Sequence, residues 1–596
     1  MERYARRSLE VLQKAFQAAG LPAAGLALPK IEELELPPDP ALGDLGFPCF
    51  KLAKPLRKAP PAVAQELAVH CQAALMGDAD KTMLRVAAVG PYVNFTVDPE
   101  VAVREILADI LKGEHDGSYG HVPEKTRGRW VIEFSSPNIA KPFMAGHLRS
   151  TALGAALARV GSFRGFDVVS INHLGDWGTQ YGKLAVAMQR YGSELPDHPT
   201  IQDLVGVYVM FHEEAEKNPD LEDEARDAFA RLERGDPELI ELWKKCVVIS
   251  MHEFSRTYQR LGVEFTHMWG ESYYKDLLEP LLQDLKKRGL VEESEGALVV
   301  RVTDDQGKEI PPAILQKKDG ATIYATRDVA AAVYRWDKFH FDRMSYVVGS
   351  EQKLHFQQLF AVLKRMGCEW APRCEHIPYG LYRFKGGKMS TRKGNFVTLN
   401  EVLETAREAV LEKIRARQAA KDTEGSPVSD LPDAAETAEA VALGAVVFND
   451  LSNDPIRDLD FDVDRITDFE GETGPYLQYA HTRCKSILRK AGTHPDWARD
   501  GALTTLLKAP EELLLLKVLG RFPHHLERTL SFSKASQLCH YLIDVTKAFG
   551  AFYRECRVID ETKPELTRAR LLLVEATRRI LGLGLGFLGI PRPERM

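Results

Sequence analysis

The 596-residue sequence has no uninterrupted apolar run long enough to cross a membrane, which excludes a helical membrane span. Its eight cysteines (Cys49, Cys71, Cys246, Cys368, Cys374, Cys484, Cys539 and Cys556) contain no CxxC pair and no zinc-like spacing to histidine. No protein-held metal is therefore expected, and the thiols read as the reduced cysteines of a cytoplasmic protein. An excess of positive charge is also missing. Lys and Arg number 78 against 85 Asp and Glu, a net charge of -7. A nucleic-acid partner would need local basic patches on an acidic body. The opening MERYARRSLEVLQKAF has the pattern of an amphipathic helix and lacks the features of a signal peptide. The remaining composition, 44% hydrophobic and 27% charged, is that of an ordinary globular chain. The length predicts about three to five domains.

What is present is organised around one strand–loop–helix, Trp130 to Arg159, reading WVIEFSSPNIAKPFMAGHLRSTALGAALAR. Val131, Ile132 and Phe134 around Glu133 predict a strand, and Ser135 to Asn138 break it. The loop runs to Gly146 and His147. Leu148, Ala152, Leu153, Ala156 and Leu157 then have helical spacing. A strand entering a helix through a Gly-containing turn aims free N–H groups and a positive dipole end at one point. His147 lies there and can donate to a phosphate oxygen. An ordinary turn with a satisfied histidine fits these residues too. Asp167 to Ile171 predicts a second strand, parallel to the first through a crossover. It ends in NHLGDWGTQYG, Asn172 to Gly182. Ligands of open parallel sheets bind at the carboxyl ends of strands, so the two loops are expected to flank one crevice.

In chain order, residues 1–125 read as a small N-terminal α/β domain. A strand pair, Leu84–Val89 and Tyr92–Val97, turns at Gly90–Pro91. Tyr92 and Asn94 share one face, where they could stack on and hydrogen-bond a base, or simply form a surface strand. Residues 126–400 read as the parallel-sheet unit, with a helical insertion at about 185–262. Val263 to Phe265 resumes the sheet, Ser345 to Gly349 adds a strand, and Ile377 to Phe384 adds the last. Tyr324 and Asp328, four apart, share a face if the helix already includes them. Residues 385–394, KGGKMSTRKG, form a cationic loop able to neutralise a polyphosphate, or a solvated basic loop. Residues 401–440 read as a connecting segment and 441–596 as an all-α bundle. Its basic residues, Arg483, Lys485, Arg489 and Lys490, then Arg554, Arg557, Arg568, Arg570, Arg578 and Arg579, stand among Tyr476, Tyr479, His481 and Tyr553. Aromatics among basic residues suit single-stranded RNA, and any single tyrosine serves equally as bundle core.

These motifs together resemble the class I aminoacyl-tRNA synthetases, and most closely the arginyl-tRNA synthetase family. SSPNIAKPF with AGHLRST, HLGDWGTQYG, GATIYATRDVAAA, SEQKLHF, KMSTRKGN, GPYLQYAHTR and the final PERM are each similar to that family's segments, in the same order. The resemblance runs from about residue 30 to Met596 and is weak in the insertion and at Ala419–Ala435. It implies a Rossmann-type catalytic domain, an N-terminal domain that touches the tRNA elbow, and an all-α anticodon-binding domain. It also implies an arginine–tRNA ligase with tRNA(Arg), L-arginine and ATP as partners. Magnesium would accompany the nucleotide, the protein would be a cytoplasmic monomer, and bound tRNA would be needed for the first step.

Residue by residue, the resemblance implies that Asn138 and Gln352 hold the amino-acid end of arginine. Glu271, Tyr324 and Asp328 would surround its guanidinium. Gly146 and His147 match the ATP signature, and Lys388, Met389 and Ser390 the mobile loop. Tyr92 and Asn94 match the elbow strand, and Tyr476, Tyr479, Tyr553 and Met596 fall in the anticodon region. Three departures stand out. Met144 replaces a histidine of the ATP signature, and a thioether cannot donate a hydrogen bond. Thr391 replaces a lysine of the loop, a charge that Lys141, Arg392 or Lys393 could supply. Arg557 stands where an aromatic is frequent, although a guanidinium can also stack. A catalytically silent tRNA-binding homologue is the alternative, and Met144 is its support.

Overall fold

The computed structural model describes residues 2–37, 42–76, 82–112, 118–318, 320–384, 397–423 and 434–596. The chain begins with α1 (Glu2–Ala18), in which Tyr4, Val11, Leu12, Ala15 and Phe16 recur at helical spacing and are buried. The first sheet has β3 (Tyr92–Val97) between β1 (Leu45–Pro48) and β2 (Met83–Val89), all antiparallel. Between β1 and β2 run α2 (Phe50–Leu56) and α3 (Pro60–Met76), and α3 packs on both the sheet and α1. Asp98 accepts the N–H groups of Glu100 and Val101 and so starts α4 (Pro99–Leu111).

The central sheet is five-stranded, parallel throughout, in the order β11-β10-β4-β5-β6. Its first half is β4 (Arg129–Glu133), α5 (Ala145–Phe163) and β5 (Asp167–Asn172). The predicted insertion is helical: α6 (Gln180–Tyr191), α7 (Ile201–Ala215), α8 (Asp220–Glu233) and α9 (Pro237–Leu261). The sheet resumes later than Val263–Phe265, as the two-residue β6 (His267–Met268). The cause is the end of α9: Gly262 is left-handed and the Val263 N–H returns to the Tyr258 carbonyl, so those residues close a helix. After α10 (Leu278–Lys287), β7 (Glu292–Ser294), β8 (Ala297–Thr303) and β9 (Glu309–Gln316) form a separate antiparallel sheet. It is covered by α11 (Tyr324–Phe339) and α12 (Lys353–Arg365), which flank β10 (Arg343–Gly349) in sequence. Strand order reverses on either side of β4, so the carboxyl ends of β4 and β10 straddle the switch point.

The single strand expected over Ile377–Phe384 is two strands in different sheets. β11 (Cys374–Tyr379) stays in the central sheet, while β12 (Tyr382–Phe384) pairs in parallel with β13 (Leu459–Phe461). Gly380 makes the break, its N–H passing to the Pro455 carbonyl. The stretch read as a connector holds α13 (Leu399–Thr423) and the start of α14 (Ala434–Leu451), which pack together. After α15 (Val463–Ile466) come α16 (Gly474–Lys490), α17 (Trp497–Asp500), α18 (Pro510–Gly520), α19 (Phe522–Phe532), α20 (Ser536–Glu555) and α21 (Pro564–Leu588). α20 starts only at Ser536, because Ser533 takes a left-handed conformation that stops α19. α4 packs on α18 and α21, so the first 125 residues lean on the last 90 or so. Among the described residues no helix is long and apolar enough to cross a membrane.

Candidate active site at the carboxyl edge of the sheet

The loop after β4 is held in an unusual backbone. Ser135, Ser136 and Ala140 all have positive φ (75°, 51° and 57°), a conformation that costs a non-glycine residue about 1–3 kcal/mol. Each of the three N–H groups is gripped by a side chain from elsewhere. Ser150 Oγ of α5 accepts from Ser135 (2.9 Å), Asn172 Oδ1 at the end of β5 from Ser136 (3.1 Å), and Ser250 Oγ of α9 from Ala140 (2.8 Å). Tyr258 of α9 completes the clamp, sharing a hydrogen bond with Ser135 Oγ and receiving one from Asn172 Nδ2, both 2.8 Å. The insertion therefore shapes the loop. Ser150 and Asn172 lie inside motifs quoted from the sequence, whereas Ser250 and Tyr258 of the insertion carried no signal, because each is an ordinary polar residue until the fold brings it near.

Asn138 is zipped to the β5 loop. The Ile139 N–H donates to the Gly175 carbonyl and the Gly175 N–H to the Pro137 carbonyl. A Cβ at residue 175 would stand 1.9 Å from Asn138 Oδ1, so only glycine leaves room for that amide. The helix then begins earlier than the apolar run suggests. Ala145 and Gly146 are its first two residues and Met144 its N-cap. The Met144 N–H donates to His147 Nδ1 (3.0 Å). His147 Nδ1 is thus an acceptor, and a neutral ring must carry its proton on Nε2. Burial, helped by nearby Lys141, pushes His147 down to about 4, so the ring is neutral at working pH. Lys141 itself is exposed.

The acidic candidates are paired with residues of the chain itself. Glu271, buried just beyond β6, takes a 2.9 Å ion pair from Arg327 Nη1. Burial raises Glu271 to about 8 against the pull of Arg327, with repulsion from Asp328 and Asp176 adding to the rise. Asp176 anchors the Glu271 turn by accepting the Ser272 N–H (2.8 Å) and hydroxyl (2.6 Å). Asp328 is not a helix cap. It lies in the second turn of α11, with Oδ2 2.6 Å from His355 Nε2 and Oδ1 3.7 Å from His173 Nε2. Burial would raise it, but His355 together with His173 and Arg335 outweighs burial and holds it below the usual carboxylate range. Behind His173 stands Arg335, fully buried, 2.5 Å from Glu133 of β4. Tyr324, the first residue of α11, is 61% exposed, and the Arg327 guanidinium lies 5.5 Å over its ring. Gln352 is exposed in the turn that follows β10. The carboxyl ends of β4, β5, β6 and β10 thus share one edge with Asn138, His147, Glu271, Asp328 and Gln352. Lys388, Met389, Ser390, Thr391, Arg392 and Lys393 lie outside the described residues.

In the helical bundle a groove of about 960 Å³ is lined by Tyr479, Arg483, Lys490, Tyr553, Arg557 and Met596, among others. All six were expected near RNA, and they lie in one place. Arg483 stacks between Tyr479 (4.7 Å) and Tyr553 (5.0 Å) and donates to the Tyr479 hydroxyl (2.6 Å). Other expectations fail. Tyr476 does not line the groove; it is half-buried in the first turn of α16 and packs on the core. His481 is 2% exposed, too buried to offer a stacking face. Arg568, Arg570, Arg578 and Arg579 form ion pairs with Asp500, Glu512 and Glu575 of the bundle. On the N-terminal strand Tyr92 meets the exposed Phe50 edge-on at 5.7 Å. Asn94 is not on an open face. It is 5% exposed, and its Nδ2 donates to the Leu42 carbonyl (3.0 Å), because the segment at Leu42 and Gly43 that leads into β1 closes over it.

Known proteins carry the same arrangement along the whole chain. Residues 108–463 match the family described as tRNA synthetases class I (R), catalytic domain. Residues 9–97 match the arginyl tRNA synthetase N terminal domain and 477–596 the DALR anticodon binding domain. The arginine–tRNA ligase of Exiguobacterium sibiricum is 42% identical over 575 residues, 96% of this chain and 97% of that protein. Arginine–tRNA ligase 1 of Bacillus thuringiensis subsp. konkukian is 42% identical over 568 residues, covering 95% and 96%. Among solved structures, the Thermus thermophilus arginyl-tRNA synthetase superimposes with a TM-score of 0.79 at 27% identity, covering 99% of this chain and 100% of that one. With catalytic, N-terminal and anticodon-binding regions all matched in order, this chain belongs to the arginyl-tRNA synthetase family of class I.

Proposed function

We propose the following division of labour for an arginine–tRNA ligase built on this chain. The chain joins L-arginine to tRNA with ATP. In the first step the arginine carboxylate attacks the α-phosphate of ATP, giving arginyl-adenylate and pyrophosphate. In the second, the terminal ribose hydroxyl of tRNA(Arg) attacks the activated carbonyl and AMP leaves. No covalent enzyme intermediate is needed, so positioning and charge neutralisation are the levers. His147 offers Nε2–H, and the start of α5 its positive dipole end, to the phosphates, the Ala145 N–H being taken by the Val397 carbonyl. Asn138 and Gln352 take the amino-acid end of arginine, and Glu271, Asp328 and Tyr324 its guanidinium. Lys141, Lys388 and Arg392 supply positive charge toward the leaving pyrophosphate, with Met389 and Ser390 in the same stretch. Magnesium would accompany the nucleotide phosphates. Tyr479, Tyr553, Arg557 and Met596 take the anticodon region, and Tyr92 the elbow. The eight free thiols support a cytoplasmic setting, and a monomer is the state proposed.

The observation that carries the site assignment is the convergence of a helix start bearing a neutral histidine with buried carboxylates at one sheet edge. Arginine-dependent pyrophosphate exchange in the presence of tRNA tests it. H147A should lower kcat by about 100-fold or more, the size of one lost donor to transition-state charge. M144A should cost less. Wild-type protein that neither exchanges pyrophosphate nor charges tRNA, restored by M144H, would establish the silent homologue instead.

A further inference from the structure

Two residues after His147, at the start of the second turn of α5, lies Arg149, and its side chain is 1% exposed. Its Nη1 donates to the Gly380 carbonyl (2.9 Å) and to the Arg457 carbonyl (2.7 Å). Its Nε reaches Asp450 Oδ1 on α14 at 3.4 Å. One buried cation therefore touches three bodies: the start of α5, the exit of the central sheet, and the helical half of the chain. The last two are already laced together. The Gly380 N–H goes to the Pro455 carbonyl, the Leu381 N–H to Asp458 Oδ1, and the Leu459 N–H to the Leu381 carbonyl, each at 2.8 Å. β12 and β13 continue the lacing as a parallel pair, and Arg383 meets Asp458 across it. The approach is so close that a Cβ on residue 380 would lie 2.7–2.8 Å from the Arg457 carbonyl group and the Asp458 nitrogen.

This joint is poorly made as a stabilising device. Arg149 Nη2 and Asp450 Oδ2 are buried and have no hydrogen-bond partner, and the pair itself is long. A buried ion pair with unfilled polar atoms is commonly matched or bettered in stability by apolar side chains of similar volume. What it does supply is registry, because a guanidinium with two carbonyl acceptors accepts little displacement.

We propose that Arg149 is a positioning residue for adenylate formation. It fixes the first turn of α5, and so His147, against the strap formed by residues 380–384 and 455–461. The helical half is thereby coupled to the nucleotide side of the site without touching a substrate. The inference rests on His147 facing the nucleotide. It assigns a role in kcat, since neither the guanidinium-facing residues nor the bundle groove belongs to the joint.

Three variants of different chemistry test it in the full-length protein. R149M/D450L removes both charges, G380A forces the strap apart, and the exposed D458A removes the Leu381 acceptor with least threat to folding. Pyrophosphate exchange, arginine KM, tRNA affinity by filter binding and thermal melts are measured on each, with H147A alongside. A misplacement of this kind should lower kcat by about tenfold to 100-fold in the double variant and G380A, and less in D458A. Arginine KM and tRNA affinity should stay within about twofold, inside the scatter expected for residues that touch neither ligand. The proposal is overturned if folded R149M/D450L and D458A keep wild-type kcat while H147A does not. It is also overturned if every loss of kcat follows the melting temperature and vanishes on cooling, or if kcat and tRNA affinity fall together while the arginine KM rises. Wild-type kcat in H147A would instead refute the assignment of His147.

Discussion

At the scale of residues the paired carboxylates have a pH consequence. Glu271 sits at about 8 in the absence of arginine, so at pH 6 to 7 it is largely protonated. In the proposed site the arriving guanidinium interacts better with the anion, so binding there releases a proton. Arginine affinity should therefore rise with pH up to about 8 and level off above it, by at most about tenfold per pH unit below. E271Q should bind weakly and flatly across that range. A titration of wild-type protein with a pH-independent arginine affinity between pH 6 and 9 would show Glu271 ionised throughout. The sign for stability is the opposite: a carboxyl raised from 4.5 to about 8 favours the free fold at low pH and loses that contribution as pH rises through 8. His147 behaves differently. Its folded value of about 4 lies below the ordinary 6.5, so its contribution to stability is present above 6.5 and is lost as pH falls toward 4. No acid limb from His147 should appear in kcat until pH nears 4. Asp328, held by His355 and His173, serves either arginine or the histidines. D328N should raise arginine KM sharply, since breaking a buried charge pair costs about 3–5 kcal/mol. A lowered melting temperature with unchanged KM would mean that Asp328 only orients the two histidines.

At the scale of elements, the helical insertion carries none of the motifs quoted from the sequence, yet α9 grips the loop after β4. Ser250 holds the Ala140 N–H, and Tyr258 holds Ser135 and Asn172. Removing either should relax a strained backbone worth about 1–3 kcal/mol per residue. Y258F and S250A are expected to lower kcat for adenylate formation more than they lower the melting temperature, checked by exchange kinetics and calorimetry on the same samples. Unchanged kcat in both would make α9 a scaffold only. This clamp also marks the limit of what the sequence discloses. The β4–α5–β5 unit was legible because apolar spacing switches from strand to helix within 30 residues, and the loop motifs between them are specific. The strands β6 and β12, two and three residues long, leave no periodicity to detect. Asn94 read as exposed because alternation along β3 does not say that the segment leading into β1, at Leu42 and Gly43, closes over that side chain. Arg570 and Arg579 read as RNA contacts because clustering of charge in sequence is blind to Glu512 and Glu575 across the bundle.

At the scale of the whole molecule, the halves are too interlocked for RNA binding to be tested by cutting. Removing everything after residue 440 would strip α4 of its packing on α18 and α21, and Arg127 and Arg164 of their shared partner Glu527. Loss of affinity in such a truncation would report unfolding. The groove itself permits a cleaner experiment, because its aromatics and cations are partly exposed and carry little of the core. Arg483 between Tyr479 and Tyr553 is already stacked, so a base entering there can lengthen an existing column. Stacking is worth about 1–3 kcal/mol per base, so Y553A should weaken tRNA binding by about tenfold to 100-fold with the melting temperature nearly unchanged. R483M removes both a cation and a stacking plane. It should also reduce the slope of log affinity against log salt by about 1, the signature of one lost phosphate-type contact. Arg568, locked to Asp500, should leave that slope unchanged when replaced by methionine. Equal slopes for wild-type, R483M and R568M proteins would place the electrostatic footprint outside this groove, despite a net-acidic chain that needs such a local patch to hold RNA at all.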